Sequence, residues 1–157
     1  MSAIGADVNS ESGYAASKGR GEAAVHETLK NAVIMRPSII FGPEDNFFNQ
    51  FAAMARLSPA LPLIGGGNSK FQPVYVEDVA QAAVKGALGQ AAPGVYELGG
   101  PDAESLRDLM RRMLATIDRR RLVVNLPFWV GGLIGGALDI GSALTLGLVT
   151  NRILTRD

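Results

Sequence analysis

The chain of 157 residues has no cysteine and a single histidine, His26. The first absence excludes a disulfide framework, a thiolate metal site and a cysteine nucleophile. The second excludes a histidine-rich metal centre, and no metal site is expected. Net charge is absent too: 15 Lys and Arg balance 15 Asp and Glu, which argues against nucleic acid as a partner. Met1-Ser2-Ala3-Ile4-Gly5-Ala6 has neither the basic start nor the long apolar run of a secretory signal, and a cysteine-free composition is compatible with the cytosol. An unbroken spanning run is also missing. Leu122 to Leu138 carries no charge and the apolar pattern resumes from Ile140 to Val149, but Asn125, Pro127, Asp139 and Gly131, Gly132, Gly135 and Gly136 interrupt it. A spanning helix needs about 20 apolar residues. Buried or interface-lying helices are expected there instead, so any membrane contact is peripheral at most.

What is present suffices for a packed core, with 47% hydrophobic and 19% charged residues. Ser2-Ala3-Ile4 reads as the end of a strand, and Ser10 or Ser12 as a cap. A helix follows from Tyr14 to about Leu29, with Tyr14, Lys18, Gly21, Val25 and Leu29 at helical spacing. Val33 to Met35 is a short strand, continued through Ser38 to Phe41 into a Gly42-Pro43 turn. Further helices are expected over Asn46–Leu57, Glu77–Leu88 and Ser105–Ile117, and strands over Gln72–Val76, Gly94–Leu98 and Leu122–Val124. Leu61 to Ile64 leads into a Gly65-Gly66-Gly67 loop. Alternating strands and helices indicate an α/β fold with a parallel sheet.

The stretch richest in chemistry is Tyr14-Ala15-Ala16-Ser17-Lys18. Residues four apart face the same way on a helix, so the ammonium can sit by the phenol. A nearby cation favours phenolate, and such a tyrosine can exchange a proton with a carbonyl or alcohol oxygen as hydride moves. The lysine can also hydrogen-bond ribose hydroxyls. Ser2, at the end of the preceding strand, could orient or polarise a substrate carbonyl. Alone the pattern is a weak one, since a solvated Lys beside a half-buried Tyr occurs on many helices.

Four segments in order supply the context: Ser2 to Asp7, Tyr14-x-x-x-Lys18, Arg36-Pro37-Ser38-Ile39-Ile40-Phe41-Gly42-Pro43-Glu44-Asp45, and Pro73-Val74-Tyr75-Val76-Glu77-Asp78-Val79-Ala80. Together they resemble the extended and atypical short-chain dehydrogenase/reductases of NAD-dependent epimerase/dehydratase type. Asn46-Phe47-Phe48-Asn49, Leu126-Pro127-Phe128-Trp129 and the final Leu154-Thr155-Arg156-Asp157 resemble the branch that includes the accessory subunit of respiratory complex I and its bacterial relatives. The resemblance implies a Rossmann-type, doubly wound parallel sheet, with NAD or NADP as cofactor. It implies Ser2, Tyr14 and Lys18 as the catalytic set and Tyr14, Lys18, Pro37, Ser38 and Ile40 as cofactor contacts. Asn46 and Phe48 would lie near the substrate pocket, and Asp78 would start a helix rather than act as an acid. The implied partners are a dinucleotide, a small carbonyl or alcohol substrate and respiratory-complex subunits, and the implied location is cytoplasmic or peripheral to the inner face of a membrane. A structural or assembly role, with cofactor bound and no turnover, is implied equally.

One family feature is missing. No Gly-rich turn follows a strand and opens a helix, the arrangement that places a pyrophosphate on a helix N-terminus. Gly65-Gly66-Gly67 has no helix after it, and Gly131-Gly132-x-x-Gly135-Gly136 sits inside an apolar segment where helix packing explains it. The residue that would choose NAD over NADP is absent with the turn. Several βα units of about 30 residues each build such a half, so the chain is expected to be the C-terminal part of a longer protein, truncated at both ends and by itself unable to bind dinucleotide. Its organisation would be residues 1–125 as the C-terminal part of the Rossmann-like domain, with substrate-side segments at about 44–72, and 126–157 as an apolar helical segment.

The remaining features have plainer readings. His26 is expected at the surface. Arg111, Arg112, Arg119, Arg120 and Arg121 are read as a solvated helix face and turn, with anionic lipid or an acidic partner as the alternative. Phe47, Phe48 and Phe51 are read as core and pocket wall, and Phe128 with Trp129 as packing.

Overall fold

The computed structural model describes residues 1–127. The expected apolar helices of the C-terminal segment, and the packing of Phe128 and Trp129, lie outside the described residues. In chain order the elements are α1 (Gly13–Thr28), β1 (Val33–Pro37), β2 (Ile40–Phe41), α2 (Phe48–Leu57), β3 (Ala60–Ile64), β4 (Lys70–Phe71), β5 (Val74–Tyr75), α3 (Val76–Ala87), β6 (Gly94–Leu98), β7 (Glu104–Ser105), α4 (Leu106–Thr116) and β8 (Leu122–Leu126). Among the described residues β1 pairs with β6, β2 with β5 and β3 with β8, each in parallel. Parallel neighbours need a crossover, and the alternation of strands and helices supplies it.

The chain forms two compact units. The first comprises residues 1–50 and 70–104, the second residues 51–69 and the chain from Ser105 on. In the first, Val33 to Pro37 lies in register with Gly94 to Leu98, and Ile34, Met35, Val74 and Val79 form a small core with Ala6, Ala16 and Ala32.

Residues 2–4 show how one proline alters a strand. Ser2 donates its backbone N–H to the Met35 carbonyl at 2.7 Å, and Ile4 donates to Pro37 at 3.2 Å. That is the parallel pattern expected for a strand end beside β1. The reciprocal bond would run from residue 37 to the Ser2 carbonyl, and proline has no N–H to give. The segment therefore lies along β1 without closing a regular ladder.

In the second unit α4 lays Leu109, Met110, Met113 and Leu114 into the core, where Leu61, Leu63 and Met110 are the largest fully buried side chains. Each such burial stabilises by about 1.5–3 kcal/mol. β3 is a strand although Pro62 sits at its centre. Leu122 donates to the Pro59 carbonyl, so by parallel alternation Leu61 and Leu63 aim their N–H groups at β8 and the Pro62 nitrogen faces away. A proline is tolerated on that side, which is why a segment that reads as a lead-in to the Gly65–Gly67 turn is sheet.

Candidate active site

The site belongs to the first unit and is built on α1. Ser12 caps the helix, its hydroxyl accepting from the Ala15 N–H at 3.3 Å, so Tyr14 falls in the first turn. Tyr14 is 55% exposed. Lys18, one turn on, is half-buried and sets its Nζ 5.6 Å from the centroid of the Tyr14 ring, within the range of a cation–π contact. The two residues meet as their spacing predicts.

The helix seats on the unit by a face of small residues. Tyr14, Val25 and Leu29 are exposed, and the buried residues of α1 are Ala16 and Gly19. A Cβ on Gly19 would collide with the backbone of Asp7 and Val8, so the absence of a side chain there lets the preceding loop lie directly on the helix. The loop is held by Asp7, whose N–H donates to the Ala15 carbonyl at 3.3 Å and whose carboxylate accepts from Asn9 at 2.9 Å. Small residues thus form the buried face of α1.

A second anchor is polar. Glu22, one turn beyond Lys18, takes both prongs of the Arg36 guanidinium, Nε to Oε1 at 2.8 Å and Nη2 to Oε2 at 2.7 Å. Arg36 also approaches Glu97 across the β1–β6 ladder at 3.7 Å. The Arg36 hydrogen bonds hold the Glu22 carboxyl below the usual carboxylate range against the opposing effect of burial, with help from the Ser2 hydroxyl and from His26. Glu22 in turn holds Arg36 above its ordinary value. Sequence reading missed this pair. The available signal was an arginine inside the apolar strand Val33–Pro37, because a charge in a buried strand needs a partner.

Ser2 is 9% exposed, and its hydroxyl makes no hydrogen bond of ordinary geometry. The polar group it faces is the Glu22 carboxylate. Ser2 thus meets Met35 and Glu22, whereas Tyr14 meets Lys18 and the Ser17 hydroxyl, which donates to its carbonyl at 2.7 Å. His26, read as a surface residue, is half-buried.

The residues after β1 are largely committed to the sheet. Pro37 is buried and its carbonyl accepts from Ile4, Ser38 donates its N–H to Leu98 at 2.9 Å, and Ile40 pairs with Val74 in β2–β5. Asn46 is exposed in the turn before α2. Asp45 caps that helix, one carboxylate oxygen accepting from the N–H groups of Phe47, Phe48 and Asn49. Phe48 packs edge-on against Phe47 at 5.1 Å and Phe41 at 6.1 Å, and Phe41 meets Tyr75 at 5.5 Å. The result is an aromatic cluster next to Asn46.

For a dinucleotide, the described residues fit one end only. Lys18 offers donors suited to hydroxyl acceptors such as those of a ribose, and Tyr14 offers an exposed phenol. Helix starts that might receive a pyrophosphate are taken: Ser12 caps α1, Asp45 caps α2, Ser105 caps α4, and Glu77 and Asp78 occupy the first turn of α3. Carboxylates at a helix N-terminus repel a second anion.

Residues 3–99 match the NAD dependent epimerase/dehydratase family. The chain belongs to that family. Among curated proteins, this epimerase/dehydratase chain is 43% identical over 131 residues to "NADH dehydrogenase [ubiquinone] 1 alpha subcomplex subunit 9, mitochondrial" of Arabidopsis thaliana, covering 82% of this chain and 32% of the relative. The mouse protein of the same name is 35% identical, with 86% and 37% covered. A "Ceramide reductase" of Caulobacter vibrioides is 33% identical over 148 residues, with 92% and 46% covered. The chain thus spans about a third of the length of the first two relatives. Among solved structures, dTDP-glucose 4,6-dehydratase from Bacillus anthracis in complex with NAD superposes with a TM-score of 0.65 at 18% identity, covering 74% of this chain and 40% of that one. A dTDP-4-dehydrorhamnose reductase from Clostridium acetobutylicum reaches 0.68 at 18% identity, covering 77% and 42%. These likenesses establish the Rossmann-type fold of the family, of which this chain covers a part. Among the described residues no helix is long and apolar enough to cross a membrane.

Proposed function

We propose that this chain carries the ribose–nicotinamide side of an NAD or NADP site and the proton-transfer residues of an oxidoreductase acting at a carbonyl or alcohol. The observation that carries the reading is the exposed Tyr14 phenol with the Lys18 ammonium 5.6 Å from its ring centroid. Tyr14 exchanges a proton with the substrate oxygen, a role worth 10²–10⁴-fold in rate by general experience. Lys18 places positive charge beside it and hydrogen-bonds the ribose. Ser2 orients the substrate oxygen, Pro37, Ser38 and Ile40 lie along the nicotinamide, and Asn46 and Phe48 border the substrate. The nicotinamide, when bound, supplies or accepts the hydride. The pyrophosphate contacts come from the rest of a protein of the relatives' length. That one relative is named a reductase supports turnover.

The plant and mouse relatives are named as NADH dehydrogenase subunits, which favours a second reading. In it the same residues hold the dinucleotide without turnover, the partners are subunits of a respiratory complex, and the location is peripheral to the inner face of a membrane.

The readings separate on Tyr14→Phe in the full-length protein. NADH and NADPH titrations should show binding in both forms, while oxidation of the bound cofactor by a carbonyl compound should fall by about 10²–10⁴-fold in the variant. Binding with no carbonyl-dependent oxidation at any pH leaves the second reading, and absence of binding overturns both.

A further inference from the structure

The second unit carries a basic groove that neither reading uses. It has a volume of about 650 Å³ and lies along the C-terminal end of α4 and the start of β8. Arg107, Arg111, Arg119, Arg120 and Arg121 line it, with Asp118 as the acid among them.

These charges are oriented without being cancelled. Arg107 donates to the Gly66 carbonyl at 2.7 Å and to the Asn125 side-chain oxygen. Arg121 donates to the carbonyls of Ala55 at 2.6 Å and Arg120 at 3.1 Å. All four acceptors are neutral. Arg111 meets Asp108 at 3.3 Å with both side chains more than half exposed, a pairing of little strength. Five guanidiniums against Asp108 and Asp118 leave an excess of three positive charges. Arg119 and Arg120 are exposed. They are turned out by the end of α4, where Asp118 takes a left-handed φ of 50° and Arg119 donates back to the Leu114 carbonyl at 2.9 Å.

The same end of the unit exposes large apolar side chains. Leu57 is 91% and Leu122 73% exposed. Leu122 lines the groove with Arg119 and Arg120 and donates to the Pro59 carbonyl, and Leu57 stands two residues before Pro59, at the end of α2 next to Arg56 in the chain. A soluble acidic partner would answer the charge alone. A bilayer of anionic lipid answers both, since it accepts apolar side chains at the interface and attracts basic ones.

We propose that this end of the second unit docks on an anionic phospholipid bilayer, with Arg111, Arg119 and Arg120 at the headgroup phosphates and Leu57 and Leu122 in the interface. This rests on the peripheral location proposed above, and the test separates the two. Full-length protein is floated with phosphatidylcholine vesicles and with vesicles enriched in phosphatidylglycerol, over a salt series. Binding to the anionic vesicles that falls with salt is expected. A basic residue near such a surface is worth about fivefold in partition, so Arg119→Glu with Arg120→Glu should lower binding by about 25-fold or more. Asp118→Asn, which keeps a residue tolerant of left-handed backbone, should raise binding about fivefold. Thermal melts establish that each variant is folded. Equal binding to both vesicles, or anionic binding unchanged in the arginine variant, overturns the groove while the peripheral location stands. Binding to neither overturns both, and tighter capture by soluble polyglutamate than by the vesicles assigns the groove to an acidic protein instead.

Discussion

Glu22 and Arg36 stand fourteen residues apart in sequence and close a two-pronged ion pair that ties α1 to β1, at 2.8 and 2.7 Å. Their side chains are 10% and 23% exposed. The pair sits one helical turn from Lys18 and faces the Ser2 hydroxyl, so it adjoins two of the residues implied in chemistry without being one of them.

Removing this tie should cost stability before it costs anything else. Glu22→Gln is expected to destabilise by about 2 kcal/mol, the range for a hydrogen bond to a charged group, measured by denaturant unfolding. Arg36→Lys should recover little, because an ammonium cannot reproduce the fork. The pH dependence has a definite sign. The folded state holds Glu22 below its ordinary value of 4.5, chiefly through Arg36. Its contribution is therefore fully present above that value and is lost as pH falls through the depressed folded value. Glu22→Gln should flatten this part of the acid limb of a stability–pH curve, and an unchanged limb would show that the pair is not its source.

Two glycines of α1 should respond in opposite directions. A methyl on Gly19 meets the Asp7–Val8 backbone, whereas one on Gly21 has nothing within 4 Å. Gly19→Ala is expected to cost about 1–3 kcal/mol by overpacking. Gly21→Ala should stabilise by up to about 1 kcal/mol through helix propensity. Paired melting curves check both, and a neutral Gly19→Ala would mean that the loop does not lie on the helix.

In β3 the same contrast runs along a strand. Leu63 is 1% exposed, and Leu63→Ala should cost about 2–5 kcal/mol. Pro62→Ala should stay within about 1 kcal/mol, because the nitrogen there faces away from β8 and no ladder bond is gained or lost. A large effect at Pro62 would contradict the register.

Lys18 can be tested apart from Tyr14. In the full-length protein, Lys18→Met should weaken NAD(P)H binding by about tenfold, the loss of one or two hydrogen bonds from a charged donor, whereas Tyr14→Phe should leave binding nearly unchanged. Calorimetric titration distinguishes them, and equal losses would mean that the two act only as a packing unit.

Much of the site's framework was legible in the linear pattern. Ser12, Tyr14 and Lys18 are local, separated by less than two helical turns, and capping and i,i+4 geometry are properties of short segments. The helix expected over Ser105–Ile117 was legible for the same reason, and the structure shows Ser105 as the cap of α4. The four ordered motifs pointed to the family, which residues 3–99 match. Local pattern misled where a residue's meaning depended on what lies across from it. Leu61 to Ile64 reads as a lead-in to the Gly65-Gly66-Gly67 loop because the direction of the Pro62 nitrogen is invisible in sequence, and the helical spacing of Tyr14 to Leu29 does not say which face of α1 is buried.

By itself the sequence determined the charge balance, the exclusion of thiol chemistry and of a histidine-rich metal centre, the order of helices and parallel strands, and the pairing of a tyrosine with a lysine on one helix. Only the tertiary structure decided which face of that helix is buried, that Glu22 and Arg36 fasten it, and that Arg107 and Arg121 are held by the neutral acceptors Gly66, Asn125 and Ala55. The physical reason is separation along the chain. Propensity, capping and periodicity act over a few residues, while ion pairs and close backbone approaches join residues whose distance in sequence says nothing about their distance in space.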